Sequence, residues 1–171
     1  MRRRHLLAPV SAVMLFACSE HSATGPISPA NTFPQAPSVA VMTGVIVVSG
    51  SDEAGAIFLK ESSGALTMLI GTETDRLASV DGAEVEVRGT WDAPPGLVVE
   101  SFTVLAVDGR PAIDGVLVYA ADQYALQLAD GSLYELADPP EALTSHIGER
   151  LWVTGGAAED EPIQFGVIAQ R

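Results

Sequence analysis

Few residues in this chain have the chemistry that catalysis or metal binding requires. Cys18 is the single cysteine of the 171 residues, and His146 is the only histidine beyond residue 21. Nucleophilic catalysis needs a nucleophile beside an oriented base, and a structural zinc ion needs about four Cys or His ligands. The sequence offers neither arrangement, so we predict no catalytic residues, no metal and no cofactor.

Two acidic clusters are the remaining candidates for ion binding. They are Asp52-Glu53 and Glu159-Asp160-Glu161. Neither cluster has the alternating ligand spacing and the turn glycine of a calcium loop. We therefore predict that both lie in solvent-exposed loops.

The residues before Cys18 predict export. Three arginines at positions 2–4 precede an apolar stretch of 12 residues, 6–17. A bilayer-spanning helix needs about 20 apolar residues, so this stretch is too short for a stable membrane span. A basic start, a short apolar segment and a small residue before the cleavage position are the order of a secretory signal. We predict a signal peptide over residues 1–17.

The cleavage position itself has a distinctive sequence. Leu15-Phe16-Ala17-Cys18 resembles the lipobox of bacterial lipoproteins. The resemblance implies that Cys18 is lipidated on sulfur, becomes the new N-terminus and anchors the chain in the cell envelope. Ser19 resembles the residue found there in lipoproteins of the outer membrane that face the periplasm. The alternative is an ordinary cleaved signal and a secreted or periplasmic protein.

Residues 18–38 differ in composition from everything after them. They are rich in Ser, Thr, Pro and Ala and have no apolar periodicity. Such a segment cannot bury enough surface to offset its ordering entropy, and its prolines favour extended conformations. We predict a disordered tether, with the folded part beginning at Val39.

The rest of the chain contains one pattern twice. Gly44-Val45-Ile46-Val47 matches Gly115-Val116-Leu117-Val118 at an offset of 71 positions. Matches of leucine, valine and glycine continue at offsets of 67 and then 66, which requires two short gaps. We interpret the pattern as a duplicated unit and predict two domains, residues 39–110 and 111–171.

Both units have the same order of predicted elements. Apolar and β-branched runs predict strands near 45–48, 56–60 and 66–70, and strict alternation predicts another over 83–89. Leu77 and the residues that follow it predict a short helix before the alternating strand. The second unit repeats the order, so we predict an all-β fold with one short helix per unit.

Three strands, a helix and two strands is the order of the OB-fold, a small Greek-key barrel. The stretches YALQLADGSLYEL and IGERLWVTGG also resemble bacterial OB-fold families of small secreted proteins. The resemblance implies two tandem small Greek-key OB-fold-like barrels. SH3-like barrels or a single β-sandwich are the structural alternatives.

The charge balance limits the partners. Removal of the signal peptide with its three arginines leaves six basic residues against 22 acidic ones, a net charge of −16. Nucleic-acid binding draws much of its affinity from Lys and Arg, and Lys60 is the only lysine. We predict no nucleic-acid role, and cationic partners attracted to an acidic surface.

Aromatic residues distinguish the two units. Tyr134 and Trp152 align with Thr67 and Glu86, which are polar, and Trp91 precedes the last strand of the first unit. Exposed rings on the sheet are one way in which OB-folds hold ligands. The three rings form either a ligand face or the seam between two barrels.

Two functional hypotheses follow. The first is a membrane-anchored, non-enzymatic lipoprotein that binds or scaffolds a peptide, a glycan, a cationic ligand or an envelope protein. The second is an accessory domain or carboxylate-dependent hydrolase of the cell envelope, with acids such as Glu100 or Asp108. It requires two carboxylates about 5–10 Å apart in a cleft.

Overall fold

The prediction of an all-β fold is confirmed by the computed structural model, which describes residues 38–50, 55–91, 96–155 and 162–169. The strands in these ranges are β1 (Ser38–Ser49), β2 (Ala56–Lys60), β3 (Leu66–Ile70), β4 (Glu84–Trp91), β5 (Gly96–Val107), β6 (Arg110–Ala120), β7 (Gln123–Gln127), β8 (Leu133–Glu135), β9 (Arg150–Thr154) and β10 (Gln164–Val167). The helices are α1 (Thr74–Ala78) and α2 (Glu141–Thr144). Neither is long and apolar enough to cross a bilayer, and the described ranges contain no other candidate.

The strands of the first half, β1 to β5, form a complete circuit of pairings. β1 pairs antiparallel with β2, and β2 pairs antiparallel with β3. β3 pairs parallel with β5, β5 pairs antiparallel with β4, and β4 returns to β1. Each strand of this half therefore has a hydrogen-bonded neighbour on both sides, which protects the strand edges.

The second half, β6 to β10, repeats this order with one difference. β6 lies between β7 and β9, and β8 and β10 follow at the two ends. Over the residues that the structure describes, no pairing joins β8 to β10, which would be the counterpart of the pairing between β3 and β5. Within the described residues, the strands of the second half therefore do not form a closed circuit.

The strand register is the same in both halves. The offsets of 71, 67 and 66 positions that align the two sequences also align their cross-strand partners. Corresponding pairs are Ile46↔Leu59 and Leu117↔Leu126, Leu59↔Thr67 and Leu126↔Tyr134, and Gly44↔Val85 and Gly115↔Leu151. A slip of one residue would turn every side chain of a strand to the other face. Because the register is the same, corresponding residues of the two halves lie on the inner face of each.

Alternate residues along the strands, with one leucine from each helix, build two apolar clusters. The first cluster includes Ile46, Leu59, Leu77, Val85 and Val104. The second includes Leu117, Leu126, Leu143, Leu151 and Val153. All of these side chains are at most 1 % exposed, so each half has a dry interior of its own.

The two halves also share part of a core. Ile168, just after β10, is 4 % exposed and belongs to the first cluster. Ala112 of β6 and Trp152 of β9 pack against the same cluster. The second half therefore completes the interior of the first, and Ala36–Arg171 form one compact unit.

Candidate functional site

A cleft lies where the two halves meet. β5 and β6 are joined by a tight turn and pair only at Ala106↔Pro111 and Val107↔Arg110. Beyond these pairs the structure has a cleft of about 630 Å³ between residues 101–105 of β5 and residues 112–116 of β6. The loop at 127–130 and Arg150 complete its lining. A cleft of this size falls within the range of about 300–1,000 Å³ that is usual for small-ligand sites.

An ion pair of the second half lines this cleft and hydrogen-bonds across it to β5. Arg150 donates from Nε to Oδ1 of Asp114 over 2.8 Å and from Nη2 to Oδ2 over 2.7 Å. Nη2 also donates to the carbonyl oxygen of Phe102, and the guanidinium carbon lies 4.4 Å from the centre of the Phe102 ring. The backbone N–H of Val104 donates to Oδ2 of Asp114 over 2.8 Å.

These side-chain hydrogen bonds take the place of backbone hydrogen bonds between β5 and β6. Where β5 and β6 no longer pair, Asp114 and Arg150 satisfy one backbone donor and one backbone acceptor of β5. The Asp114 side chain is 3 % exposed and that of Arg150 is 26 % exposed. The bidentate pair joins β9 to β6 within the second half and is strong and directional in such surroundings. Its hydrogen bonds to Phe102 and Val104 then hold the second half against β5 of the first.

The first half has a groove at the corresponding place. A cavity of about 690 Å³ lies over Gly44, between β1, the end of β2 and the start of β4. Seven of its lining residues correspond to residues that line the cleft. The pairs are Thr43 and Asp114, Gly44 and Gly115, Val45 and Val116, Lys60 and Gln127, Glu61 and Leu128, Ser62 and Ala129, and Glu84 and Arg150.

Both cavities have a glycine at their floor for the same reason. A Cβ on Gly44 would lie 2.5 Å from the carbonyl oxygen of Lys60, and a Cβ on Gly115 would lie 2.7 Å from that of Gln127. Only glycine lets neighbouring strands approach this closely. The glycine that recurs in the sequence at an offset of 71 positions therefore lines both cavities.

Trp152 lies on the seam between the halves. It pairs with Gly166 across β9 and β10, and a Cβ on Gly166 would lie 2.6 Å from the indole ring. The ring therefore covers the glycine, and it packs against the first apolar cluster.

The other two aromatic candidates lie elsewhere. Tyr134 is half-buried on β8 and packs against the second cluster. Trp91 ends β4 and is 41 % exposed. Tyr134, Trp91 and Trp152 lie on three different strands, and no ring contact joins any two of them.

Several residues singled out from the sequence lie outside the described ranges. They are Cys18 and the acidic clusters Asp52-Glu53 and Glu159-Asp160-Glu161. Within the described ranges, no three His, Cys, Asp or Glu side chains are grouped so that they could hold a metal ion.

The carboxylates considered for hydrolysis are exposed. Glu100 is exposed in the middle of β5, and Asp108 is exposed in the turn before β6. Asp130, on the rim of the cleft, accepts hydrogen bonds from the hydroxyl and the backbone N–H of Ser132, which hold its pKa below the ordinary value. A carboxyl with a lowered pKa is a poor proton donor at neutral pH.

His146 follows α2 in the second half. Its Nδ1 lies 3.0 Å from Oε2 of Glu149, and its ring centre lies 5.8 Å from that of Phe165. The imidazole therefore packs on the edge of the second cluster beside one carboxylate.

Sequence reasoning missed the pair of Asp114 and Arg150. One signal could have identified it: the first unit has Thr43 and Glu84 at these positions, and one exchange reverses the charge. Simultaneous changes at two cross-strand neighbours, from Thr and Glu to Asp and Arg, are typical of a new ion pair.

Comparison with protein-family models, with curated proteins and with solved structures finds no match to this chain. Function is therefore inferred from the residues and geometry of the chain itself.

Proposed function

We propose that this chain is a membrane-anchored, non-enzymatic binding or scaffolding lipoprotein of the bacterial cell envelope, built from two OB-fold-like units. Lipidation of Cys18 anchors it in the outer membrane on the periplasmic side, and residues 18–38 connect the lipid to β1. The circuit β1–β2–β3–β5–β4–β1 supports the OB-fold assignment, because this barrel is a five-stranded Greek key with a helix before the fourth strand.

The observation that carries the binding role is a row of exposed apolar side chains on β1. Val39, Val41 and Val45 are 59 %, 55 % and 37 % exposed, while Ile46 on the opposite face is 1 % exposed. An apolar row beside a groove, on an otherwise acidic protein, is typical of a surface that contacts a partner. Cationic peptides, glycans and envelope proteins are the partner classes that fit this surface, and nucleic acid is not among them.

The alternative of a carboxylate-dependent hydrolase has less support. Two carboxylates, Asp114 and Asp130, line the cleft. Both oxygens of Asp114 accept hydrogen bonds from Arg150 or Val104, and Asp130 is held in its ionised form by Ser132. Neither is arranged to donate a proton to a leaving group, so the geometry favours binding over hydrolysis.

The anchor is tested by intact mass and membrane fractionation of the full-length protein beside a Cys18→Ser variant. The wild type is expected to be cleaved before Cys18, to carry acyl mass and to sediment with the outer membrane, whereas the variant does none of these. A Ser19→Ala variant is the matched control and should behave like the wild type. Equal behaviour of wild type and Cys18→Ser would refute the anchor.

The binding role is tested by a photo-crosslinking amino acid placed at Val41 in intact cells. We expect a discrete adduct of reproducible mass from position 41. Leu133 on β8, which is 52 % exposed, is the control position and should give none. No adduct from either position would oppose a binding role for the β1 row.

A further inference from the structure

In the second half, the structure shows what lies opposite the cleft over Gly115, the counterpart of the groove over Gly44. The cavity over Gly115 faces residues 101–105 of β5, an extended segment. This segment presents the backbone N–H of Val104 and the carbonyl oxygen of Phe102 to side chains at positions 114 and 150. A strand edge is therefore the natural counterpart of this groove.

We propose that the groove over Gly44 in the first half docks an extended, basic segment of a partner protein. The proposal rests on the proposed binding function and names its site and the chemistry of its partner. It follows from the correspondence of the two grooves: the one over Gly115 is covered by β5, and the one over Gly44 has no strand of the described chain opposite it.

The polar groups of the first groove fit a strand with cationic side chains. Thr43 stands where the second half has Asp114, and its hydroxyl can accept or donate a hydrogen bond to a backbone group. Glu84 stands where the second half has Arg150, so this groove offers a carboxylate in place of a guanidinium. Val45, 37 % exposed, gives apolar contact between these two positions.

The charges around the groove favour a basic occupant. Glu61, Asp81 and Glu84 line it against the single positive charge of Lys60, a local net charge of −2. The mature chain as a whole carries −16, so the long-range field has the same sign. Such a surface speeds encounter with cationic segments and rejects acidic ones.

Segments of this chain are poor candidates for the occupant. In a second copy, the edge of β5 at Phe102 and Val104 is already engaged by Arg150 and Asp114. Residues 18–38 contain no Lys or Arg, so they lack the charge that the groove attracts. β8 and β10, which end the open sheet of a second copy, likewise contain no Lys or Arg, so the charge of the groove favours a different protein.

The test uses the mature protein, residues 18–171, and a fluorescein-labelled peptide of alternating valine and lysine as the probe. A valine and glutamate peptide of equal length is the probe control. We expect saturable binding of the basic peptide, with amide NMR shifts confined to residues 43–45 and 60–62 and the start of β4. The acidic peptide should not bind.

Two charge reversals of equal size separate groove binding from general attraction. Glu84→Lys is expected to weaken binding of the basic peptide about tenfold. Glu135→Lys, on the exposed face of β8 and outside the groove, should change it less than about twofold. Equal losses in both variants, or no saturable binding by the wild type, would overturn the proposal.

The NMR map distinguishes failure of this proposal from failure of the proposed function. Shifts at the cleft over Gly115 or at another surface would remove the groove over Gly44 as the site and leave a binding protein. Absence of peptide binding, together with absence of an adduct from Val41 in cells, would remove both.

Discussion

Asp114 and Arg150 connect strands from both halves. Their contribution to the free energy of unfolding depends on both residues being present. Asp114 is nearly buried, and among the residues that the structure describes Arg150 is its cationic partner. Removing one member of a buried pair leaves an uncompensated charge in a poorly solvated place, which costs more than the pair contributes.

Replacing Arg150 by methionine should therefore lower the free energy of unfolding by about 3 kcal/mol. The measurement is urea denaturation at pH 7. Arg76→Met is the matched control: Arg76 and Glu73 form a more exposed pair at 3.3 Å. That pair should contribute at most about 1 kcal/mol. A loss at position 150 no larger than that at position 76 would contradict the buried-pair argument.

Trp152 and Gly166 are coupled in a way that a double-mutant cycle can measure. Because a Cβ on Gly166 would lie 2.6 Å from the indole, Gly166→Ala must push the ring aside. We expect a loss of about 1–3 kcal/mol in the wild type. In a Trp152→Leu background the same change should cost less, by at least about 0.5 kcal/mol. Equal costs in the two backgrounds would show that the ring does not cover the glycine.

The burial of a single residue could be predicted from the sequence only where it follows from the pattern of its neighbours along the chain. Leu77 and Val85 follow from periodicity, since each lies on the apolar side of its own element. The contact between Asp114 and Arg150 joins residues 36 positions apart, and the contact with Phe102 spans 48. No short-range pattern encodes such distances, so the candidate site could not be assembled before the topology was known.

Two hairpin turns differ in how well their residues suit the positive φ angles that the turns require. The turn between β5 and β6 has Asp108 and Gly109 at positive φ, 51° and 73°, which suits a two-residue hairpin. The turn between β6 and β7 has Ala121 and Asp122 at φ 52° and 63°. Alanine tolerates this left-handed conformation poorly, so the second hairpin forms at a cost.

Replacing Ala121-Asp122 by Asn-Gly should relieve that cost. Asn and Gly are the preferred residues of a type I′ turn, so we expect a gain of about 1 kcal/mol in the free energy of unfolding. Thermal and urea denaturation measure it. Gly109→Ala, at the turn that already has a suitable glycine, should have the opposite sign. A loss of stability on introducing Asn-Gly would show that the turn residues have another role.

Elements were predicted more accurately than sites. The strands expected at 56–60 and 66–70 lie there in the structure. β1 begins at Ser38, before the expected 45–48, because its outward side chains are the apolar Val39, Val41 and Val45, which conceal the alternation. α1 and α2 are single turns, since a few residues suffice to insert one leucine into each cluster.

At the scale of the whole molecule, the two halves have the same strand register but different outward faces. The outward face of the second half, on β6 and β9, has Trp152 and Ala112 and packs against the first half. The corresponding face of the first half has Glu86 and Val41, which are exposed. The recurring glycines and core residues made the similarity of the halves visible in the sequence. Which outward face is covered depends on a few residue differences between the halves, and the residues that these positions contact lie in the other half.

Sharing of the first core by both halves predicts that they unfold together. Ile168 is nearly buried in that core, so Ile168→Ala should destabilise the protein by about 2–4 kcal/mol. Trp91→Phe leaves Trp152 as the only tryptophan, and Trp152→Phe leaves Trp91, so each variant carries one fluorescent probe. Combined with Ile168→Ala, each probe should show a urea midpoint that is lower than the midpoint of its own parent variant. If Trp91 kept the midpoint of its parent variant, the first half would be stable without the end of the chain, and the halves would be independent domains.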